Sequence, residues 1–271
     1  MRKWEAYENP KAVMVIVHGA MEHHGRYGWL IENWRLNGFH VIMGDLPGQG
    51  LTTRSSRGHI HSFDEYIKEV YSWIKEAETF ALPIFLLGHS MGGLTAIRLL
   101  QNIKVEIKGV LLSSPCLGLV EYPSVPINAL SVGLNWILPE LKVNSLLDID
   151  LVTRNDDIKE RALNDSLYVT KVSVRWYREL LKAMKAAFTK LSNFPNVPLL
   201  VLQGGDDKIV NKTDVKNWFN QLTISEKLYK EWKNCYHEIF NEPERERIFD
   251  YAKSFVEIRL RQIGYNDDTE Y

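Results

Sequence analysis

Five near-continuous apolar runs constrain this chain more than any other feature. AVMVIV (12–17), FHVIMGD (39–45), PIFLLG (83–88), KGVLLSS (108–114) and VPLLVLQ (197–203) are strand-length and rich in Val, Ile and Leu. Runs without polar alternation suit strands covered on both faces. Helical patterns lie between them. SFDE at Ser62 to Glu65 is a capping-box pattern, and Ile67, Val70, Tyr71 and Ile74 behind it share one helical face. Pro243 is placed to start a late helix whose stripe is Ile248, Ala252, Phe255 and Val256. Such alternation predicts an α/β fold, a mostly parallel central sheet flanked by helices.

The alternation lapses between residues 117 and 192. There VPINALSVGLNWILPEL and VSVRWYRELLKAMKAAF read as helical, with no buried strand between them. This predicts an inserted helical cap over 117–192, with the sheet domain formed by 1–116 and 193–271. A length of 271 residues fits one domain carrying an insertion. The last residues, YNDDTEY, read as a polar tail.

Charge narrows the partners. Lys plus Arg is 33 and Asp plus Glu is 34, a formal net charge of −1, so no basic excess points to nucleic acid. The two cysteines, Cys116 and Cys235, cannot build a disulfide framework, which favours a reducing compartment. The first apolar run, Val13 to Val17, is too short for a signal peptide or a membrane span. A cytoplasmic location is expected, with peripheral membrane contact left open.

GHSMGG (88–93) directly follows the run PIFLL and precedes the helical LTAIRLLQN. Gly88-His89-Ser90-Met91-Gly92 matches G-x-S-x-G, in which a sharp strand-to-helix turn exposes a strained serine. The plainer alternative is a glycine-rich turn with an incidental serine. A nucleophilic Ser90 needs a general base. In this arrangement the order is Ser, acid, His, and His237 is the one histidine C-terminal to Ser90; taken alone it reads equally as a surface-loop residue. An orienting carboxylate is offered by Asp206 and Asp207 at the end of the run LLVLQGG. Both also read as caps of the helix that starts near Asn211.

Acyl transfer further needs donors for an oxyanion. The backbone N–H of Met91 supplies one, and that of Ala20, after the strand 12–17, the other. His18, His23 and His24 cluster in the same stretch, VIVHGAMEHHGRY. A metal site there is disfavoured, because no carboxylate and histidine fall at helical ligand spacing. No metal and no cofactor are expected.

HGAMEHHGRY, GHSMGG, GDLPGQGLTTRSSRGHIHSFDEYIKEV, QGGDDKIV and YHEIFNEPERE together resemble the motifs of α/β-hydrolases of the monoacylglycerol lipase and lysophospholipase group, related to serine aminopeptidase-like hydrolases. The resemblance covers nearly the whole sheet domain and says least about the cap. In the group's acid loop the acid stands three residues after the glycine, which implies Asp207. The resemblance thus implies a Ser90, Asp207 and His237 triad with Ala20 and Met91 as backbone donors. Glu22, His23, Arg26 and Tyr27 then look like scaffolding of the oxyanion loop, and Asp45, Gly48 and Gly50 look structural. Leu51 departs from the group, which often has a small or polar residue before the Ser/Thr at Thr52.

The group's substrates are glycerol esters carrying one fatty chain, and its caps form apolar tunnels that touch membrane. Ile127, Leu130, Val132, Leu134, Trp136, Ile137 and Leu138 are the apolar cap residues this would employ; burial of the same helix against the sheet domain is the alternative. The expected activity is release of a fatty acid from monoacylglycerol. Lysophospholipase, phospholipase or general carboxylesterase activity stands second, and peptidase activity, which uses the same triad, is disfavoured. A catalytically inactive lipid- or protein-binding scaffold is the alternative of another class.

Overall fold

A computed structural model of the chain describes residues 1–51, 56–145 and 148–265. Thr52 of the glycine loop and the tail 266–271 lie outside the described residues. In chain order the elements are β1 (Arg2–Trp4), β2 (Ala12–Val17), α1 (Gly28–Leu36), β3 (Phe39–Met43), α2 (Asp64–Glu78), β4 (Ile84–His89), α3 (Met91–Asn102), β5 (Gly109–Ser113), α4 (Val125–Ile137), β6 (Lys142–Asn144), α5 (Asp156–Leu163), β7 (Lys171–Ser173), α6 (Val174–Thr189), β8 (Leu199–Gly204), α7 (Lys212–Gln221), β9 (Lys227–Trp232) and α8 (Arg245–Gln262).

The five apolar runs are the five inner strands. Sheet order is β1-β3-β2-β4-β5-β8-β9. Every pairing is parallel except β1 with β3. Alternate residues of β2 feed two cores. Val13, Val15 and Val17 pack with α2, α3 and α6 on one face, and Ala12, Met14 and Ile16 pack with α1 and α8 on the other. Each buried aliphatic side chain contributes roughly 1.5–3 kcal/mol, so a sheet covered on both faces is where this composition gains most. The SFDE pattern closes as half of a capping box: Glu65 Oε1 reaches back to the Ser62 N–H at 3.1 Å, while Ser62 Oγ takes the N–H of Asp64, at 3.2 Å, in place of that of Glu65.

The order reverses at β2, which has β3 on one side and β4 on the other. The crevice beyond the carboxyl ends of β2 and β4 is therefore the topological switch point, where open α/β sheets bind ligands. The loops after β4 and β2 carry Ser90 and Ala20 there.

The segment between β5 and β8, where the sequence predicts a helical cap, is mostly helical and carries α4, α5 and α6. It also contains a short antiparallel ribbon that the sequence pattern does not reveal, β6 with β7, pairing Val143 with Val172. Three residues per strand leave no periodicity to read. Helix α6 ties this segment to α2 and α3, since Trp176 Nε1 donates to Tyr66 Oη at 2.8 Å and Gln101 Nε2 donates to the Ala187 carbonyl at 2.8 Å.

Helix α4 is not buried against the sheet domain. Its polar residues face α6: Arg178 Nη1 reaches Asn128 Oδ1 at 3.0 Å and Arg175 Nε reaches Asn135 Oδ1 at 2.7 Å. Its apolar residues face outward, with Trp136 84% and Ile137 77% exposed. Among the described residues no helix is long and apolar enough to cross a membrane.

Candidate active site

The turn from β4 into α3 sets the first group. Ser90 has φ 51° and ψ −119°, a conformation that costs a non-glycine residue about 1–3 kcal/mol and needs the surroundings to hold it. Its N–H donates to the Ser113 carbonyl at 2.9 Å, and its own carbonyl accepts from Cys116 and Leu94. The flanking glycines admit no side chain. A Cβ on Gly92 would stand 2.2 Å from the Val17 carbonyl oxygen, and one on Gly88 would stand 2.6 Å from that of Gly92. Gly92→Ala is therefore expected to destabilise the protein by about 3 kcal/mol. A urea midpoint within error of the parent would refute this.

Three side chains from three loops meet in one hydrogen-bonded line. Ser90 Oγ lies 2.8 Å from His237 Nε2, and His237 Nδ1 lies 2.9 Å from Asp207 Oδ2. All three are buried side chains. Asp206 is exposed and stands outside the line. Asp207 is fully satisfied. Gln203 Nε2 also donates to Oδ2 at 2.9 Å, and the N–H groups of Ile209 and Val210 donate to Oδ1 at 2.9 Å. Burial would push its carboxyl up, but the His237 imidazole and the two N–H donors outweigh this and hold it below the ordinary range. Burial alone would lower the His237 pKa; the charge and hydrogen bond of Asp207, with Glu238 and Glu22, raise it above the ordinary histidine value. Asp207 accepts from Nδ1–H, which leaves the Nε2 lone pair facing the Ser90 hydroxyl.

The loop after β2 runs against the serine. A Cβ on Gly19 would stand 3.2 Å from Ser90 Cβ. The Gly19 N–H is committed to Glu22 Oε1 at 2.6 Å, so the next N–H along the loop is that of Ala20. Met91 is the first residue of α3, where an N–H has no intrahelical acceptor. The helix macrodipole adds partial positive charge at that point.

His18 fixes the same loop. Its Nε2 accepts the Leu46 N–H at 2.9 Å, so its Nδ1–H donates to the Gly19 carbonyl at 2.7 Å. Burial holds this histidine below its ordinary pKa, as a neutral ring with one donor and one acceptor requires. Glu22 also accepts from Tyr27 Oη at 2.6 Å and from Arg26 Nη1 at 2.9 Å. Arg26 continues to Glu238, next to His237, with two bonds of 2.8 and 2.9 Å.

The remaining histidines of the stretch serve as loop ties. His23 Nε2 pairs with Asp165 Oδ2 of the cap at 2.6 Å, and His24 Nδ1 pairs with Asp45 Oδ1 at 2.7 Å. His23, His24 and Asp45 bring possible ligand atoms within 4.8 Å of one another. Asp45 Oδ1 also accepts the His24 N–H and its Oδ2 the Leu51 N–H, so its oxygens already have hydrogen-bond donors.

The cap residues are not drawn into this centre. Ile127, Leu130, Trp136 and Ile137 are exposed, and Leu134 is half-buried. Sequence reasoning also passed over Gln203, Glu238 and His89. The His89 ring lies 4.8 Å from that of His237, and burial with the neighbouring imidazole lowers its pKa to about 4. It occupies a variable position of the elbow motif, so no spacing rule marks it.

The serine aminopeptidase S33 family model matches residues 8–244. The chain belongs to the serine aminopeptidase S33 family of α/β-hydrolases. This hydrolase is 58% identical over 258 residues to phospholipase YtpA of Bacillus subtilis, covering 95% of this chain and 99% of that protein. It is 25% identical to the monoacylglycerol lipase of Mycolicibacterium smegmatis, covering 93% of this chain and 90% of that one. Among solved structures, the monoacylglycerol lipase of Paleococcus ferrophilus superposes with a TM-score of 0.83 at 34% identity, covering 96% of this chain and 99% of that chain. The hydrolase is thus a carboxylic ester hydrolase of the monoacylglycerol lipase and lysophospholipase group.

Proposed function

We propose that this hydrolase releases a fatty acid from a glycerolipid by acyl-enzyme catalysis, with Ser90 as nucleophile, His237 as base and Asp207 as its orienting carboxylate. The observation that carries the reading is the continuous Ser90–His237–Asp207 hydrogen-bonded line beneath a strained elbow. His237 Nε2 takes the Ser90 proton as Oγ attacks the ester carbonyl. The oxyanion is received by the N–H groups of Ala20 and Met91, each worth about 2.7–4 kcal/mol of transition-state stabilisation. The imidazolium, favoured by Asp207, returns that proton to the departing glycerol oxygen. Water, deprotonated by His237 in turn, cleaves the acyl-serine and frees the acid.

Two head-group classes fit the chemistry. Likeness to the Bacillus subtilis phospholipase, 58% identical across nearly both chains, supports a phospholipid or lysophospholipid. Likeness to monoacylglycerol lipases at 25–34% identity supports monoacylglycerol as the second reading. The outward apolar face of α4 supports cap residues Ile127, Leu130, Leu134, Trp136 and Ile137 as the part that meets the lipid, with 117–192 as the cap. Contiguous exposed apolar surface of this kind marks contact with a lipid or a partner.

The test is a hydrolysis panel on purified protein. It compares lysophosphatidylglycerol, phosphatidylglycerol, monooleoylglycerol, p-nitrophenyl acetate and an aminopeptidase substrate, with Ser90→Ala as control. Preference for either phospholipid is expected, and preference for monooleoylglycerol would exchange the two readings. Failure of a fluorophosphonate probe to label the protein would instead support an inactive scaffold. Trp136→Glu with Ile137→Glu is expected to weaken co-sedimentation with phosphatidylglycerol vesicles at least fivefold while leaving p-nitrophenyl acetate hydrolysis within twofold. Unaltered sedimentation would remove α4 from lipid contact.

A further inference from the structure

The loop that carries His237 is long for a catalytic support. It runs from the end of β9 at Trp232 to the start of α8 at Arg245, with a single 3-10 turn at Ile239–Asn241. A base must be held to within about 0.5 Å of its working place, so something outside this loop has to hold it. Arg26 and Asp207 hold it from one direction; a second holder is the segment Val152 to Arg154, between the 3-10 turn Ile149–Leu151 and α5.

That segment takes hold of the loop on both sides of the histidine. The Val152 carbonyl accepts the Glu238 N–H at 2.7 Å. Thr153 Oγ1 donates to the Asn241 carbonyl at 3.2 Å. Arg154 Nε donates to Glu242 Oε2 at 2.7 Å, its N–H donates to Glu242 Oε1 at 3.0 Å, and its Nη2 pairs with Glu244. Glu242 Oε1 also accepts the N–H of Tyr236, the residue before His237, at 3.2 Å. Glu242 is fully buried, and a carboxylate at such depth needs a paired cation.

Cys235, Glu242 and Glu244 bring ligand atoms within 4.8 Å of one another, a grouping that would suit a metal ion. Arg154 already supplies the positive charge, lying between both carboxylates and 4.0 Å from the Cys235 sulfur. The Cys235 thiol is pushed up to about 12 by burial and by the carboxylates of Glu244 and Glu242, so it packs as a neutral group. The cluster is a socket for a guanidinium.

We propose that Arg154 is a positioning residue: through Glu242 it ties the cap to the His237 loop and keeps the imidazole aimed at Ser90. This rests on the reading of Ser90, His237 and Asp207 given above. Arg154 touches no reacting atom, so its loss acts on turnover by loosening the base. The charged or titratable groups that face His237 are Asp207, Glu238, Glu22 and His89. Asp207 is what lifts the imidazole above its ordinary pKa. A slackened His237–Asp207 contact therefore moves the acid limb of kcat/KM to lower pH.

The experiment uses the full chain with Arg154→Met, Arg154→Lys and Glu242→Gln. Hydrolysis of p-nitrophenyl butyrate, its pH profile, the rate of fluorophosphonate labelling and thermal unfolding are measured on each. Arg154→Met is expected to lower kcat about 10- to 100-fold, in line with the cost of a misplacement near 1 Å. KM should stay within threefold, labelling should slow in parallel, and the acid limb should move down. Glu242→Gln should move all four readouts in the same direction, and Arg154→Lys should recover part of kcat. A folded Arg154→Met protein with the parent's kcat and acid limb would overturn the proposal. So would losses that follow melting temperature while the acid limb of every variant stays in place. A parent protein that neither hydrolyses the ester nor takes the label would sink the Ser90 reading itself, and this proposal with it.

Discussion

Ser90→Ala is expected to lower kcat by about 10⁶-fold while the protein stays folded, on the scale measured when a nucleophile is removed from a hydroxyl-dependent triad. The alanine keeps the Cβ and the backbone of the elbow. The positive φ at this position remains imposed by the Ser113, Cys116 and Leu94 bonds to residue 90. Thermal unfolding should therefore shift by no more than a few degrees. His237 keeps Asp207 but loses the hydroxyl at 2.8 Å, so the base remains in place with nothing to activate. Steady-state assays on the most reactive ester of the panel, at enzyme concentrations high enough to see a 10⁶-fold loss, make the measurement. Activity within a hundredfold of the parent would mean that another group attacks the carbonyl.

Asp207→Asn carries the second largest effect, about 10⁴-fold in kcat, comparable to the same change in other Ser–His–Asp enzymes. The local hydrogen bonds dictate the reason. Oδ1 is held by the N–H groups of Ile209 and Val210, so an asparagine places its oxygen there. Its NH₂ then takes the place of Oδ2, facing His237 Nδ1 and the Gln203 amide. An N–H donor at Nδ1 forces the ring proton onto Nε2, which can no longer accept from Ser90. Removing the negative charge also removes what raises the His237 pKa. Activity requires the neutral ring, so in the parent it falls as pH drops through a value above the ordinary histidine range. In the variant that fall comes at lower pH. Asp206→Asn, on an exposed side chain, should stay within threefold of the parent in both kcat and acid limb. Equal losses in the two variants would reassign the orienting carboxylate.

Fold and site were legible in unequal measure. The inner strands declared themselves because burial on both faces leaves a run of Val, Ile and Leu that no exposed element tolerates. The Ser62–Glu65 box declared its helix because capping is local chemistry. Strands β1, β6 and β7 did not, since three residues at an edge or in a ribbon show no period. Ser90 was legible because its elbow is a continuous pentapeptide, and His237 because no other histidine follows it. Asp207 needed the resemblance, as both aspartates satisfy the local pattern. The long-range ties were invisible. Arg26 meets Glu238 across 212 residues and Arg154 meets Glu242 across 88, and nothing in either neighbourhood encodes its partner. For α4 the composition was evident, but which face turns to solvent depended on Arg175 and Arg178, charges on another helix.

The strand order carries a consequence for how this protein comes to life during synthesis and refolding. The elbow follows β4 in the middle of the sheet, whereas His237 follows β9, the edge strand laid down last and resting on β8 alone. A chain emerging from the ribosome thus presents Ser90 about 150 residues before His237, and that serine stays as inert as any free hydroxyl. On the proposed mechanism, hydrolytic activity arrives only once β9 has docked on β8 and the loop after it has brought His237 to Ser90. Regain of turnover after denaturation is accordingly a reporter of a contact between residues 147 apart in the chain.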